Sequence, residues 1–176
     1  MHSERPSMRH PDRWLAALRI AVGLWFLYGG IRKVTFVLWG GLLPLPTATD
    51  RWIGVMPKRI AEFASGNPIE RYKEFLDGTV LHNPKLFAGL TAWGEFSVGV
   101  GLTLGLLTVL AGLIGLAMMV SYLLATFWMG FGPLGFHLLL IACMLVFFAS
   151  KAGRTWGLDA WLVKRLPDRS FFRLFC

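Results

Sequence analysis

The stretch FSVGVGLTLGLLTVLAGLIGLAMMVSYLLATFWMGFGPLGFHLLLIACMLVFFAS (Phe96–Ser150) runs for 55 residues without one Lys, Arg, Asp or Glu. A lipid-spanning helix needs about 20 consecutive apolar residues. The run is therefore too long for one span and too apolar for a soluble domain. The whole chain of 176 residues agrees, with 55% hydrophobic residues and a mean hydropathy of +0.56. It reads as an all-α integral membrane protein that crosses the bilayer more than once.

Working outward, the run is broken clearly at MGFGPLG (Met129–Gly135), where Gly130, Gly132 and Pro133 fall together, and weakly near Leu107–Thr108. These breaks predict spans over 86–107, 109–128 and 134–150. Upstream, WLAALRIAVGLWFLYGGI (Trp14–Ile31) is apolar apart from Arg19. It is longer than a signal-peptide core and no A-x-A site closes it, so it reads as a retained first span over about 14–34. Whether it continues into VTFVLWGGLL is left open. The expected fold is a four-helix antiparallel bundle forming a membrane domain over 14–150, between tails at 1–13 and 151–176. In the second tail LDAWLVKRL (Leu158–Leu166) predicts an amphipathic interfacial helix. A long outer loop, about 44–85, is expected to hold two short surface helices, Pro57–Ala64 and Pro68–Leu76. Each starts with the proline that suits a first helical turn.

The net charge of +8 could suggest nucleic acid, but apart from Arg19 the Lys and Arg sit at the ends and in one loop. That pattern fits anchoring against anionic lipid instead, and no nucleic-acid partner is expected. Three Lys and Arg in the first tail and six in the second, against none in the two short turns, place both termini in the cytoplasm and the long loop outside. Cys143 reads as a packing residue and Cys176 as a free thiol, with no C-x-x-C pair. The histidines at 2, 10, 82 and 137 stand alone, so no metal site is expected.

One acid lies deep in the second span. Glu95 is its tenth residue, roughly 14 Å in at 1.5 Å per residue. An acid at such depth costs about 2.5–3.5 kcal/mol on insertion scales, and is a functional candidate by default. It is either a proton-handling group or a structural ion pair, with Lys33 its first candidate partner and Arg19 its second. Lys33 could equally snorkel to the interface, and snorkelling is the expected behaviour of Arg19. Near Glu95, Thr91 is a candidate hydrogen-bond partner and Trp93 a candidate stacking wall. Gly99 offers either close helix packing or room for a ligand. Tyr28 and His137 are expected in the same outer half, each about one turn from the outer end of its span, His137 as a second polar contact or a packing residue. Arg154 and Asp159 are expected to form a salt bridge that pins the C-terminal tail.

Several of these stretches resemble the DoxX family. LRIAVGLWFLYGGIRK (Leu18–Lys33) is similar to its first helix. GEFSVGVGLTLGLLTVLAG (Gly94–Gly112) is similar to its second, with the glutamate followed by spaced glycines. AGRTWGLDAWL (Ala152–Leu162) resembles its tail signature, with Ala152 at the first glycine position. The loop FASGNPIERYKEFLDGTVLHNPKLFAGL (Phe63–Leu90) resembles the longer DoxD branch, named for the small subunit of thiosulfate:quinone oxidoreductase. The resemblance implies a membrane subunit of a quinone-linked redox system acting on sulfur compounds such as thiosulfate, with quinone as substrate, no covalently bound cofactor and no metal. Glu95, Lys33 and His137 would then be the catalytic residues, and Thr91, Trp93, Gly99 and Tyr28 would line the quinone site. Arg19, Arg154 and Asp159 would be structural. The sequence supplies no redox centre of its own, so a redox partner subunit or direct donor-to-quinone chemistry is implied. Two other classes stay open: a non-catalytic anchor or assembly partner, and a small-molecule carrier. Oligomerisation is also left open.

Overall fold

The computed structural model describes residues 11–39, 42–165 and 175–176. The described residues are all-α apart from one small hairpin. Helix α1 (Pro11–Ile31) is followed by strands β1 (Val34–Trp39) and β2 (Leu43–Ala48), then α2 (Asp50–Ser65) and α3 (Glu70–Phe75), which runs on into a wide turn over Leu76–Val80. Helices α4 (Pro84–Leu104), α5 (Thr108–Thr126) and α6 (Phe131–Ser150) come next, and α7 (Asp159–Arg165) closes the described C-terminal segment. Helices α1, α5 and α6 are long and apolar enough to cross a membrane. Helix α4 is as long as α1 but carries Lys85 and Glu95, and is not among them. Together with the large apolar side chains exposed on these helices, such as Trp25, Leu139 and Leu145, this makes the chain a membrane protein. Most of the first tail, and residues 166–174 of the second, lie outside the described residues.

The elements differ from expectation at identifiable places. The first helix starts at Pro11 and does not continue into VTFVLWGGLL. That segment instead pairs antiparallel with Leu43–Ala48, from Val34↔Ala48 to Trp39↔Leu43. Its β-branched Val34, Thr35 and Val37 favour strand, and Pro44 and Pro46 are tolerated because both strands of a two-stranded ribbon have a free edge. In the loop, Pro57 lies inside α2, which is capped earlier by Thr49 accepting from the Trp52 N–H at 3.2 Å. The turn between α4 and α5 is formed at Gly105, whose φ of +62° ends α4 in the left-handed conformation that glycine takes without penalty. Only Gly130, at φ +123°, stands between the helical residues of the α5 end and α6, so Gly132 and Pro133 belong to the first turn of α6.

Helices α1 and α4 run antiparallel in close contact. Gly23 faces Leu102 and Thr103, Leu27 faces Gly99, and Gly30 faces Phe96. A Cβ on Gly30 would lie 2.6 Å from Phe96 Cα, and one on Gly99 would overlap the Leu27 backbone. Helices in lipid associate through such small residues because packing, not water, holds them together. On the other side, α5 and α6 approach where Gly112 and Gly115 face Met144 and Phe148. Phe26, Val98, Leu102, Met144 and Phe147 fill the space between. Helices α2 and α3 form a cover. Their apolar faces bury Ala64, Leu76 and Val80 over Phe87 of α4. The cover is fastened to α5 by Asn67, which donates to Leu124 O at 2.8 Å, and by the Tyr72 hydroxyl, which donates to Ser121 O at 2.7 Å.

The far end of the helices is tied by a polar knot. Arg19 is fully buried, so it does not snorkel: its guanidinium donates to Leu102 O at 2.7 Å and to Trp156 O at 3.1 Å. These are the carbonyls that the end of α4 and the following tail leave without helical partners. Asp159 is also fully buried. The expected Arg154–Asp159 salt bridge is not found. Asp159 caps α5 from 52 residues away, accepting from Leu107 N at 2.7 Å and Thr108 N at 2.9 Å, while exposed Arg154 donates to Cys176 O at 3.3 Å. Cys176 is buried rather than exposed, and burial, with Asp159 beside it, pushes its thiol up to about 11.

Replacing Gly99 with Leu should lower the unfolding free energy by at least 1–3 kcal/mol, roughly the cost of overpacking, read as a lower Tm in detergent micelles. Asp159→Ala should cost on the order of 2 kcal/mol through loss of a buried charged cap, whereas Arg154→Ala should be nearly silent. Equal losses from the two would restore the salt-bridge explanation. Because a thiol with a pKa raised to about 11 stays protonated at pH 8, native Cys176 should resist alkylation there and react on unfolding.

Candidate functional site

A cavity of about 550 Å³ lies between the cover and the membrane helices. Its walls are mostly aromatic and aliphatic, including Phe63, Phe75, Phe87 and Met118. Polar groups enter from several elements: Lys33 from the turn after α1, Glu95 and Thr91 from α4, Tyr122 from α5, His137 from α6, and Arg59 and Tyr72 from the cover.

Glu95 is central among them and almost fully buried. Lys33, in the turn after α1, places its ammonium 2.6 Å from both carboxylate oxygens. The turn that presents Lys33 is held by its own backbone, with Lys33 N donating to Gly30 O and Thr49 N donating to Lys33 O. On α5, the Tyr122 hydroxyl donates to Glu95 Oε1 at 3.0 Å. A Cβ at Gly29 would lie 2.9 Å from Oε2, so this glycine leaves the carboxylate its place against α1. The Lys33 ammonium also sits 4.4 Å above the Trp52 ring, a cation–π contact. The indole is fixed in turn by its N–H donating to Thr91 Oγ1 at 3.0 Å.

The structure sorts the sequence-derived candidates. Glu95, Lys33, Thr91 and His137 all line the cavity. Thr91 does not bond Glu95 as expected: it accepts from Trp52 and donates to Ala88 O. His137 meets the ring of Tyr122 edge-on at 6.2 Å, and its Nδ1 lies 3.3 Å from Thr126 Oγ1. The Thr126 hydroxyl donates to Tyr122 O at 2.8 Å.

The other three candidates lie elsewhere. Trp93 is 42% exposed on the outer face of α4. Tyr28 is 62% exposed and accepts from Arg32 at 3.0 Å. Gly99 is filled by the α1 backbone, so it serves helix packing and opens no room beside Glu95. Trp93 lies on the face of α4 opposite the acid, whereas Gly99 shares the acid's face one turn further along.

Sequence reasoning missed Tyr122, Trp52 and Gly29. Tyr122 had a signal: its hydroxyl is a polar handle in the uncharged run, and a buried phenol needs a partner.

The description "TQO small subunit DoxD" names the family model that matches residues 14–174. The chain belongs to the DoxD family. No solved structure matches it. In this DoxD protein the match spans every residue of the site, from Lys33 to His137. The site offers an ammonium, a carboxylate and a phenol in direct contact, facing a largely apolar cavity. Such a set can donate to, or accept from, a polar atom on an otherwise apolar guest, and can exchange a proton with it.

The ion pair makes a stability prediction for the DoxD protein. Lys33→Met leaves a buried carboxylate without its cation and should cost roughly 3–5 kcal/mol. The double change Lys33→Met, Glu95→Leu should recover most of that loss, since neither charge remains. The measurement is Tm and membrane abundance of the four forms of the cycle. Independent, additive losses would show that the pair is not coupled.

Proposed function

We propose that this DoxD protein is the membrane subunit of a quinone-linked redox system, and that the cavity beside Glu95 receives a quinone ring. The observation that carries the reading is the Lys33–Glu95–Tyr122 cluster on the wall of a largely apolar cavity between the α2–α3 cover and the membrane helices. Quinone rings are flat and apolar with two carbonyl oxygens, and their reduction takes up two protons with two electrons. Glu95 handles protons, Lys33 and Tyr122 hold it and the ring carbonyl in place, and His137 serves as the acceptor on the α5–α6 side. The electrons come from a sulfur-compound donor such as thiosulfate, directly or through a partner subunit. In the same proposal α4 is the fourth span of an antiparallel four-helix bundle in the cell inner membrane. Both termini are cytoplasmic, and the α2–α3 cover lies on the outer side.

Glu95→Gln should accumulate in membranes yet lose about 100-fold or more in donor-to-quinone turnover, the scale of general acid–base contributions. Tyr122→Phe should lose about tenfold, one charge-assisted hydrogen bond's worth. The assay is turnover beside membrane abundance in a host lacking the native copy, and full turnover by Glu95→Gln would remove the proton-handling role. For topology, single cysteines at Gly78, which has open space around it, and at exposed Arg154 should label from opposite faces. Labelling of both from one side would sink the four-span arrangement.

A further inference from the structure

A second, smaller pocket of about 260 Å³ adjoins the cavity and has a different character. It is lined by Arg32, Lys33, Arg51, Trp52 and Val55, three cations and no acid. They come from two separate elements, the turn after α1 and the first turn of α2, so the fold gathers them. Two of the three are held in position. Arg32 donates to the Tyr28 hydroxyl at 3.0 Å and stacks 5.4 Å from its ring. Lys33 lies over Trp52, whose indole is anchored to Thr91. Among the described residues the salt bridges are Lys33–Glu95 and Arg59–Glu62, and neither engages Arg32 or Arg51. Three like charges around one concavity repel each other and focus a positive potential into it. Guanidinium groups match oxyanions with paired N–H donors.

We infer that this pocket is an oxyanion site for a phosphate- or sulfate-type group, free in solution or on a lipid headgroup, and that it shares Lys33 with the Glu95 cavity. The inference does not rest on the quinone reading. Lys33 and Trp52 line both spaces and form the wall between them. An ammonium has three N–H groups, and both oxygens of Glu95 are in contact with this one. An anion in the outer pocket competes with Glu95 for the same cation. Binding on one side therefore weakens the ion pair on the other, and the coupling is reciprocal. With Glu95 ionised, the three cations and one carboxylate sum to +2; with a neutral residue at 95 they sum to +3. The neutral form should bind the anion more tightly. Tyr28, which lies outside the cavity, acquires a role here as the residue that orients Arg32.

The test uses the full chain in a maltoside detergent, free of phospholipid, titrated with inorganic phosphate by calorimetry. Wild type should bind. Arg51→Gln, an exposed position, and Arg32→Gln should each bind about tenfold more weakly, the value of a charged hydrogen bond. Glu95→Gln should bind about tenfold more tightly, one neighbouring charge at moderate dielectric. The second arm reconstitutes the chain in nanodiscs of phosphatidylglycerol. If phosphate binding disappears there, and native mass spectrometry shows retained lipid that Arg51→Gln releases, the occupant is a lipid headgroup. Persistence of phosphate binding in the nanodiscs identifies a free anion. The inference is overturned if wild type neither binds phosphate nor retains lipid, or if the Arg32→Gln, Arg51→Gln double variant matches wild type in both arms. Where Glu95→Gln fails to accumulate, the arginine variants alone decide.

Discussion

The contact between α1 and α4 is the constraint on which the rest depends. Gly23, Gly30 and Gly99 let the two backbones meet with no side chain between them. In lipid there is no hydrophobic drive to press helices together, so surface fit must supply it. The fit also sets register. With Leu27 opposite Gly99 and Gly30 opposite Phe96, the turn after α1 comes level with Glu95, and Lys33 reaches the carboxylate from it. A helix pair slipped by one turn, about 5.4 Å, would separate ammonium from carboxylate and leave both to be desolvated alone.

Two buried cations show two ways of meeting the cost of charge in a low-dielectric interior. Arg19 makes no salt bridge; its two terminal nitrogens donate to carbonyl oxygens at the end of α4 and in the tail, and Asp159 attracts it from a longer distance. There the guanidinium answers backbone groups that the helix end leaves unsatisfied, and it fixes the α4–α5 turn together with Asp159. Lys33 instead meets Glu95 directly, at the edge of a cavity, with an aromatic ring beneath it. The first arrangement is closed on all sides and reads as structure. The second has one open side, and an open side on a buried ion pair is where a guest can change the balance.

How much of this was legible in the sequence depends on the range of each interaction. The uncharged run from Phe96 to Ser150, the helical class and the breaks at Gly105–Thr108 and Gly130 are local, and composition carries them. The Lys33–Glu95 pair was legible for a different reason. Charged groups in an apolar run are few, so each has few possible partners. Tyr122 and Trp52 were hidden because polar–aromatic residues are numerous, with eight tryptophans and three tyrosines in the chain, and which of them face inward depends on helix rotation. Trp93 and Gly99 show the converse. Trp93 is two residues from Glu95, yet at about 100° per residue it points to the far side of α4; Gly99 is one turn from Glu95 on the same side, yet the α1 backbone fills the space beside it. Asp159 was legible as important but not as a cap, because its partners at Leu107 and Thr108 are brought to it only by the folded tail.

The α2–α3 cover explains why the polar cluster can persist beside a space of this size. Without it, the Glu95 side of α4 and α5 would open to lipid or water. Water would screen the ion pair and weaken its hold on Lys33. Lipid would leave the pair to bear its full desolvation cost at the helix surface. The cover instead closes the space with Phe63, Phe75 and Leu76 while returning polar anchors, Asn67 and Tyr72, to backbone carbonyls of α5. Its attachment is therefore made by a few hydrogen bonds and a small apolar cluster of Ala64, Leu76 and Val80, much thinner than the interlocked glycine contact of α1 and α4. Local opening follows the weakest contacts.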